Sequence, residues 1–304
     1  MSRVVHIGDD VGRLQVRDRQ LRAYHRDTKE ILGTAPLEDV DLVLADSTRG
    51  IFFDTHTLQA MLAEDTTLVM CDNKHMPVGL LLPLAGSWNH TRILHAQIEM
   101  SAARRKRAWQ QIVQAKIRAQ ARNLPHAHPV TRRLTQLATE VRSGDTSNTE
   151  ATAAKSYWSA LFGQPFRRET RTRQAENGAL DYGYAVLRSI VARSVVGAGM
   201  HPALGLHHIG RDNPYCLVDD LIEPLRPAID SLVLKHETEP TLSPQLRAVL
   251  AKVVETPFTI GDRNGPLTFV MDIYAANVRQ YILGETDKIE TPTLIYDTRT
   301  QQDK

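Results

Sequence analysis

Cysteine is almost missing from this chain. Cys71 and Cys216 are the only two in 304 residues; they match no metal-ligand spacing and offer no disulfide framework, so they read as buried thiols in a reducing compartment. Long apolar runs are missing as well. The longest, from Val78 to Gly86, is about half of what a membrane span needs and contains Pro83. The opening MSRVVHIGDD has no secretory apolar segment, and neither internal repeats nor low-complexity tracts occur. HExxH and clustered Cys ligands are absent too, which argues against zinc. A cytoplasmic protein without membrane association is expected.

What is present is an ordinary globular composition, 42% hydrophobic and 24% charged, long enough for one large or two modest domains. Residues 1 to about 85 read as strands in RVVHI, GRLQVRD, QLRAYHR, VDLVLAD and TTLVMCD, broken by turn residues. One helix is expected at 56–63, after Asp54-Thr55. PLAGSWN at 83–89 marks the boundary, and from 90 onward a period of 3.6 dominates. The expected class is therefore α+β, with a small N-terminal β domain (1–85) followed by a larger all-α domain (90–304). Within the latter, one long helix is predicted over 92–123, with Trp109, Ile112, Val113 and Ala119 or Gln120 inward and Lys116 in phase with them. A central helix is predicted from Asp181 to Ala198 between Gly178 and Gly199. Helices over 241–254 and 267–282 are expected to pack outside it, and a short strand over 293–296 closes the chain.

Three features carry chemistry. The stretch HPALGLHHIGRDNPYCLVDDLIEPLRP (201–227) sets a histidine pair before a helix whose Asp219, Asp220 and Glu223 share a face opposite Leu217, Val218, Leu221, Ile222 and Leu225, with Pro224 and Pro227 ending it early. Residues 146–162, TSNTEATAAKSYWSALF, open with helix-capping types and place Glu150 in phase with Ala153 and Ala154, so it lies toward the core and needs a partner. Residues 92–142 carry eleven Arg and Lys against Glu99 and Glu140, including the run Arg104, Arg105, Lys106 and Arg107, a footprint for phosphates. Carboxylates with an imidazole suit a hard divalent ion, Mg²⁺ or Mn²⁺, that activates a water or a DNA 3′-hydroxyl.

The order of AAKSYWSALFG, LDYGYAVLRSIVARSVVGAGMHPALGLHH and NPYCLVDDLIEPLRPAID, preceded by WQQIVQAKIRAQ, resembles the CRISPR adaptation integrase family, closest to its type II branch, across most of residues 1–280. The resemblance implies a metal-dependent DNA endonuclease and integrase that inserts short duplexes into a CRISPR array by 3′-hydroxyl transesterification, in antiviral defence. It implies a catalytic and metal-binding triad of Glu150, His208 and Glu223, with Asp220 as a further ligand candidate and His207 steering the substrate. Many relatives carry Asp where Glu223 stands. Arg104, Arg105, Lys106, Lys116, Tyr157 and Arg226 are candidates for contacts to double-stranded DNA. The implied partners are a second copy of the chain, with the β domain dimerising, a small ferredoxin-like adaptation protein, and the RNA-guided effector nuclease. The rival reading is a DNA-binding scaffold without catalysis; a helical hydrolase of small phosphoesters fits the basic stretch less well.

Overall fold

The computed structural model of the chain describes residues 3–73, 77–82, 90–163, 166–169, 175–236 and 242–295. The chain divides into two compact units, Met1–Ser87 and Trp88–Lys304; the boundary stretch 83–89 lies outside the described residues.

The first unit runs β1 (Arg3–Ile7), β2 (Val11–Arg17), β3 (Gln20–His25), β4 (Ile31–Pro36), β5 (Val40–Ala45), β6 (Phe52–Phe53), α1 (Thr55–Ala63), β7 (Thr67–Cys71) and β8 (Pro77–Leu81). One sheet has the order β1-β5-β7-β8, its first two pairings parallel and its last antiparallel. The other, β4-β3-β2-β6, is an antiparallel meander with β6 parallel to β2. Arg17 pairs with Gln20 across Asp18 and Arg19, both at positive φ, the two-residue turn that matches strand twist. Asp54 caps α1 by accepting the Thr57 N–H at 2.8 Å. Leu14, Val43, Met61 and Val69 fill the core. The five predicted strands and the helix are present, and β4, β6 and β8 are additional. Of the two thiols, Cys216 is buried and Cys71 is half-buried.

The second unit is mainly helical. The helix predicted over 92–123 is two, α2 (His90–Glu99) and α3 (Ala102–Arg122). Ser101 leaves helical backbone between them and its hydroxyl accepts the Arg104 N–H at 3.3 Å, so the cap restarts the helix. Then follow α4 (Pro129–Glu140), α5 (Thr149–Phe162), α6 (Ala175–Gly197), α7 (Cys216–Leu221), α8 (Arg226–Lys235) and α9 (Pro244–Ala251). Helix α6 begins before Gly178, which lies inside it and does not bound it. Pro227 does not end a helix either: it stands in the first turn of α8, where its missing N–H breaks no bond. The unit closes with β9 (Pro257–Ile260), β10 (Arg263–Pro266), α10 (Leu267–Leu283) and β11 (Thr293–Leu294). The strand at 293 was expected; the hairpin around Gly261 that completes the small sheet β10-β9-β11 was not.

Helix α6 is the scaffold, with Leu180, Tyr182, Val186, Leu187, Val191 and Val195 all fully buried, and it packs on α7, α8, α9 and α10. Helix α10 packs on α6 and α2 through the fully buried Val270, Met271, Tyr274, Ala275 and Val278, while Phe269, Asp272 and Gln280 on its other face are exposed. Gly183 lets α6 approach α8 closely, since a Cβ there would stand 2.5 Å from Ile229 Cγ2. Gly183→Ala should therefore destabilise the protein by about 1–3 kcal/mol in urea unfolding, overpacking outweighing the better helix propensity of alanine. Unchanged or raised stability would contradict the close approach.

Candidate active site

Three elements converge on one ammonium group. Lys116 lies on the stripe of α3 that also buries Trp109, Ile112, Val113 and Gln120, and its side chain is 13% exposed. Its Nζ stands 2.5 Å from Glu150 Oε1 and 2.5 Å from Glu223 Oε2. The two carboxylates are thus held on a shared cation. Arg226 adds a second, with Nε 2.9 Å from Glu223 Oε1 and its guanidinium over the Tyr184 ring. Burial would push the Lys116 ammonium down, but Glu223 and Glu150 more than reverse this and raise it. Burial likewise pushes the Glu223 carboxyl up, yet Arg226 and Lys116 hold it below its ordinary value. Both groups stay charged.

Glu150 is aimed by the polar loop before it, SGDTSNT, in which Asp145 is the capping acceptor. Asp145 receives the N–H groups of Thr149 and Glu150 on its two carboxylate oxygens, at 2.8 and 3.0 Å, so it caps α5 from outside. Gly144, Asp145 and Asn148 all have positive φ, which folds the loop back far enough for that contact. SGDTSNT carried the signal, being built of residue types that tolerate such backbone and cap helices.

The shared acidic face predicted for Asp219, Asp220 and Glu223 does not form. Helix α7 ends at Leu221, and Pro224 forces a tighter 3₁₀ turn over Glu223–Leu225, so the three acids point to different partners. All are buried. Asp219 pairs with Arg188 at 2.7 Å and accepts from Asn213. Asp220, wholly buried, receives the backbone N–H groups of Leu206, His207 and His208 and contacts His208 Nδ1 at 2.7 Å. With its oxygens so engaged it supports the histidine turn instead of offering itself as a ligand. Gly205 lets that turn close, because a Cβ there would meet the His208 carbonyl at 2.2 Å. The Asp220 hydrogen bond to Nδ1 raises the His208 pKa above the usual imidazole value. His207, the residue expected to steer substrate, is exposed and stacks on the buried Trp109 with centroids 4.1 Å apart. Residues from α2 brace the turn: Gln97 donates to the His201 carbonyl and accepts its N–H.

The remaining candidates divide. Tyr157 is fully buried and is no surface contact for DNA; its hydroxyl donates to Asp230 at 2.8 Å and accepts from Asn123 at 2.7 Å. Tyr184 donates to the other Asp230 oxygen. Arg104 is consumed in a structural clamp, donating to the carbonyls of Tyr281 and Thr286 and to Asp287, with its guanidinium on the Tyr281 ring. Arg105 closes the end of α2 through the carbonyls of Gln97 and Ile98. Lys106 is exposed, its stem near Gly144, and Arg107, Arg118, Arg122, Arg132 and Arg133 are exposed too. Beside the acid pair opens a cavity of about 230 Å³ lined by Lys116, Trp158, Arg168, Tyr184, Glu223, Arg226 and Asp230.

Comparison with known proteins follows the same lines. The family described as CRISPR associated protein Cas1 matches residues 5–245. A CRISPR-associated endonuclease Cas1 from Neisseria meningitidis serogroup C (strain 8013) is 36% identical over 283 residues, 91% of this chain and 90% of the relative. Among solved structures, a casposase bound to integration product superposes with a TM-score of 0.76 over 95% of this chain and 92% of its own, at 15% identity. A Cas6-RT-Cas1–Cas2 complex gives 0.72 over 97% of this chain and 36% of that one, also at 15%.

Two pH effects follow. In metal-free protein the His208 ring should titrate above 6.5 by NMR, and Asp220→Asn should bring it back. A raised imidazole pKa stabilises the fold fully below the unfolded value and loses that contribution as pH rises through the folded one. Asp230, pushed up to about 7 by burial despite its tyrosine donors, works in the same direction. The folded state holds a proton that the unfolded chain has released, so stability should fall as pH rises from about 4 to 7. Asp230→Asn should flatten that slope in urea titrations at several pH values; an unchanged slope would contradict the assignment.

Proposed function

The chain belongs to the CRISPR-associated Cas1 family of endonucleases and integrases, and from that premise we propose that it inserts short duplex DNA into a CRISPR array through a divalent ion held by Glu150, Glu223 and His208. The observation that carries this reading is the meeting of Glu150 and Glu223, far apart along the chain, on one cation. Among the described residues no three His, Cys, Asp or Glu side chains already stand in coordinating positions. The donor set nevertheless fits a hard divalent ion. Glu223 Oε2 is buried without a well-directed hydrogen bond, Glu150 shares its cation, and the His208 ring is held through Nδ1 by the Asp220 carboxylate, as supporting shells of metal sites commonly do. Magnesium or manganese suits two oxygens and one imidazole nitrogen better than zinc does. When bound, such an ion lowers the pKa of a hydroxyl and neutralises charge on a phosphodiester.

The protein's own contributions can be assigned. Glu150 and Glu223 gather the ion, Asp220 holds His208 in place, and Arg226 keeps Glu223 ionised. The exposed Lys106, Arg107, Arg118, Arg122, Arg132 and Arg133 supply phosphate contacts, so duplex binding should weaken with salt. A 3′-hydroxyl as nucleophile gives strand transfer by transesterification and water gives hydrolysis; the casposase likeness supports the former. The likeness to a Cas1–Cas2 assembly supports a small adaptation protein as partner, with a homodimer of this chain on either side. The Neisseria relative supports the type II branch and hence the RNA-guided effector nuclease as a selector of incoming DNA. Among the described residues no helix is long and apolar enough to cross a membrane, and we place the protein in the cytoplasm.

The test is an integration assay with a short duplex, a supercoiled array plasmid, and magnesium or manganese. Glu150→Ala and His208→Ala should each lower strand transfer by more than about 100-fold while duplex binding survives. Normal strand transfer by both variants would overturn the assignment of these residues, and intact duplex binding with no metal-dependent strand transfer even by the wild type would leave the non-catalytic scaffold as the reading.

A further inference from the structure

Lys116 has no obvious place in a site built to hold a divalent ion. Its ammonium stands between the two carboxylates that such an ion would bridge, 2.5 Å from each. With Arg226 also on Glu223, the two negative charges are already balanced by two positive ones, so an arriving cation finds no net attraction unless one of them leaves. Arg226 is poorly placed to leave: its planar fork lies over the Tyr184 ring, which is itself tied to Asp230 through its hydroxyl. Lys116 differs in kind. It is a point charge on a flexible four-carbon stem, it reaches Glu150 through a single hydrogen bond, and it lines the cavity of about 230 Å³ that also holds Arg168 and Trp158.

We propose that Lys116 is a displaceable internal counter-cation: it holds Glu150 and Glu223 together before metal loading, competes with the divalent ion for them, and is freed by that ion to meet a DNA phosphate. This rests on the metal reading of the acid pair given above. Two carboxylates in a largely buried site repel one another and are expensive to leave unpaired. Lys116 removes that cost in the metal-free protein, and the same stabilisation must be given up when the metal binds. A phosphate offers the released ammonium a new acceptor, so metal and duplex should tighten each other by one common factor.

The experiment is Mn²⁺ binding by isothermal titration calorimetry, with free ion followed by electron paramagnetic resonance, with and without a short duplex. Lys116→Met should bind Mn²⁺ about tenfold more tightly than the wild type without DNA, a factor common for coupled sites, and the duplex should no longer tighten it. Lys116→Arg, which keeps a cation, should stay as weak as the wild type. In thermal unfolding Lys116→Met should be less stable without Mn²⁺ and recover with it. If Lys116→Met does not fold, Lys116→Gln carries the same measurement. Equal or weaker Mn²⁺ binding by the folded neutral variant overturns the proposal. Glu150→Gln separates the two readings: if it binds Mn²⁺ as well as the wild type, the metal assignment itself is wrong, whatever Lys116 does.

Discussion

A single cation held by two anions from different parts of the chain constrains the architecture of the helical unit. Glu150 and Glu223 could not sit side by side in a site this dry without compensation, because like charges at low dielectric repel strongly and each pays to leave water. Lys116 supplies the compensation, and so fixes three elements relative to one another: α3, the start of α5 and the turn after α7. Each of these is then set by local chemistry. Ser101 restarts the helix so that Lys116 falls on the stripe of Trp109, Ile112 and Val113. Asp145 caps α5 so that Glu150 faces inward. Pro224 stops α7 so that Glu223 turns away from Asp219 and Asp220.

Behind this group lies a second set of buried charges, and the two sets are joined. Asp230 is held by the hydroxyls of Tyr157 and Tyr184, Asn123 donates to both Tyr157 and the Pro227 carbonyl, and Arg226 covers Tyr184 while pairing with Glu223. A carboxyl that stays protonated to about pH 7 leaves Arg226 with Glu223 as its main ionised partner. The cost of burying Asp230 thereby works in favour of the acid that faces the cavity. Asp220 repeats this logic on the other side, where three backbone N–H groups and one imidazole fully occupy a carboxylate that has no contact with solvent.

Much of this was legible in the sequence, and the failures have physical reasons. Glu150 stood out because an acid in phase with an apolar stripe needs a partner, whereas the choice of His208 and of Glu223 among three neighbouring acids came with the family resemblance and not from spacing. The strands of the first unit declared themselves by alternation and by turn residues. Asp219, Asp220 and Glu223 were misread as one face because helical periodicity was carried through Pro224, and a single 3₁₀ turn is enough to scatter them. Periodicity placed Tyr157 on the inward stripe of its helix, in keeping with its full burial; its candidacy as a DNA contact came with the resemblance, which does not register depth. Asp230 and Asp145 escaped notice altogether. Each acts through residues remote in sequence or through backbone groups, which no spacing rule registers.

The basic segment shows how charge counts and charge function part company. Eleven cations between 92 and 142 suggested a continuous phosphate-binding strip, yet the most concentrated run loses half its members to structure. Arg104 binds two carbonyls, a carboxylate and an aromatic face, and Arg105 caps α2. Guanidinium suits such work because its fixed fork satisfies several carbonyls at once. Lys116, with a stem that buries and a head that seeks anions, went inward to the acid pair. What remains exposed is spaced over three helices, at Arg92 on α2, Lys106, Arg107, Arg118 and Arg122 on α3, Arg132 and Arg133 on α4, and Arg142 just beyond it. Fewer cations then face solvent than the composition implied, so fewer counterions are released on binding.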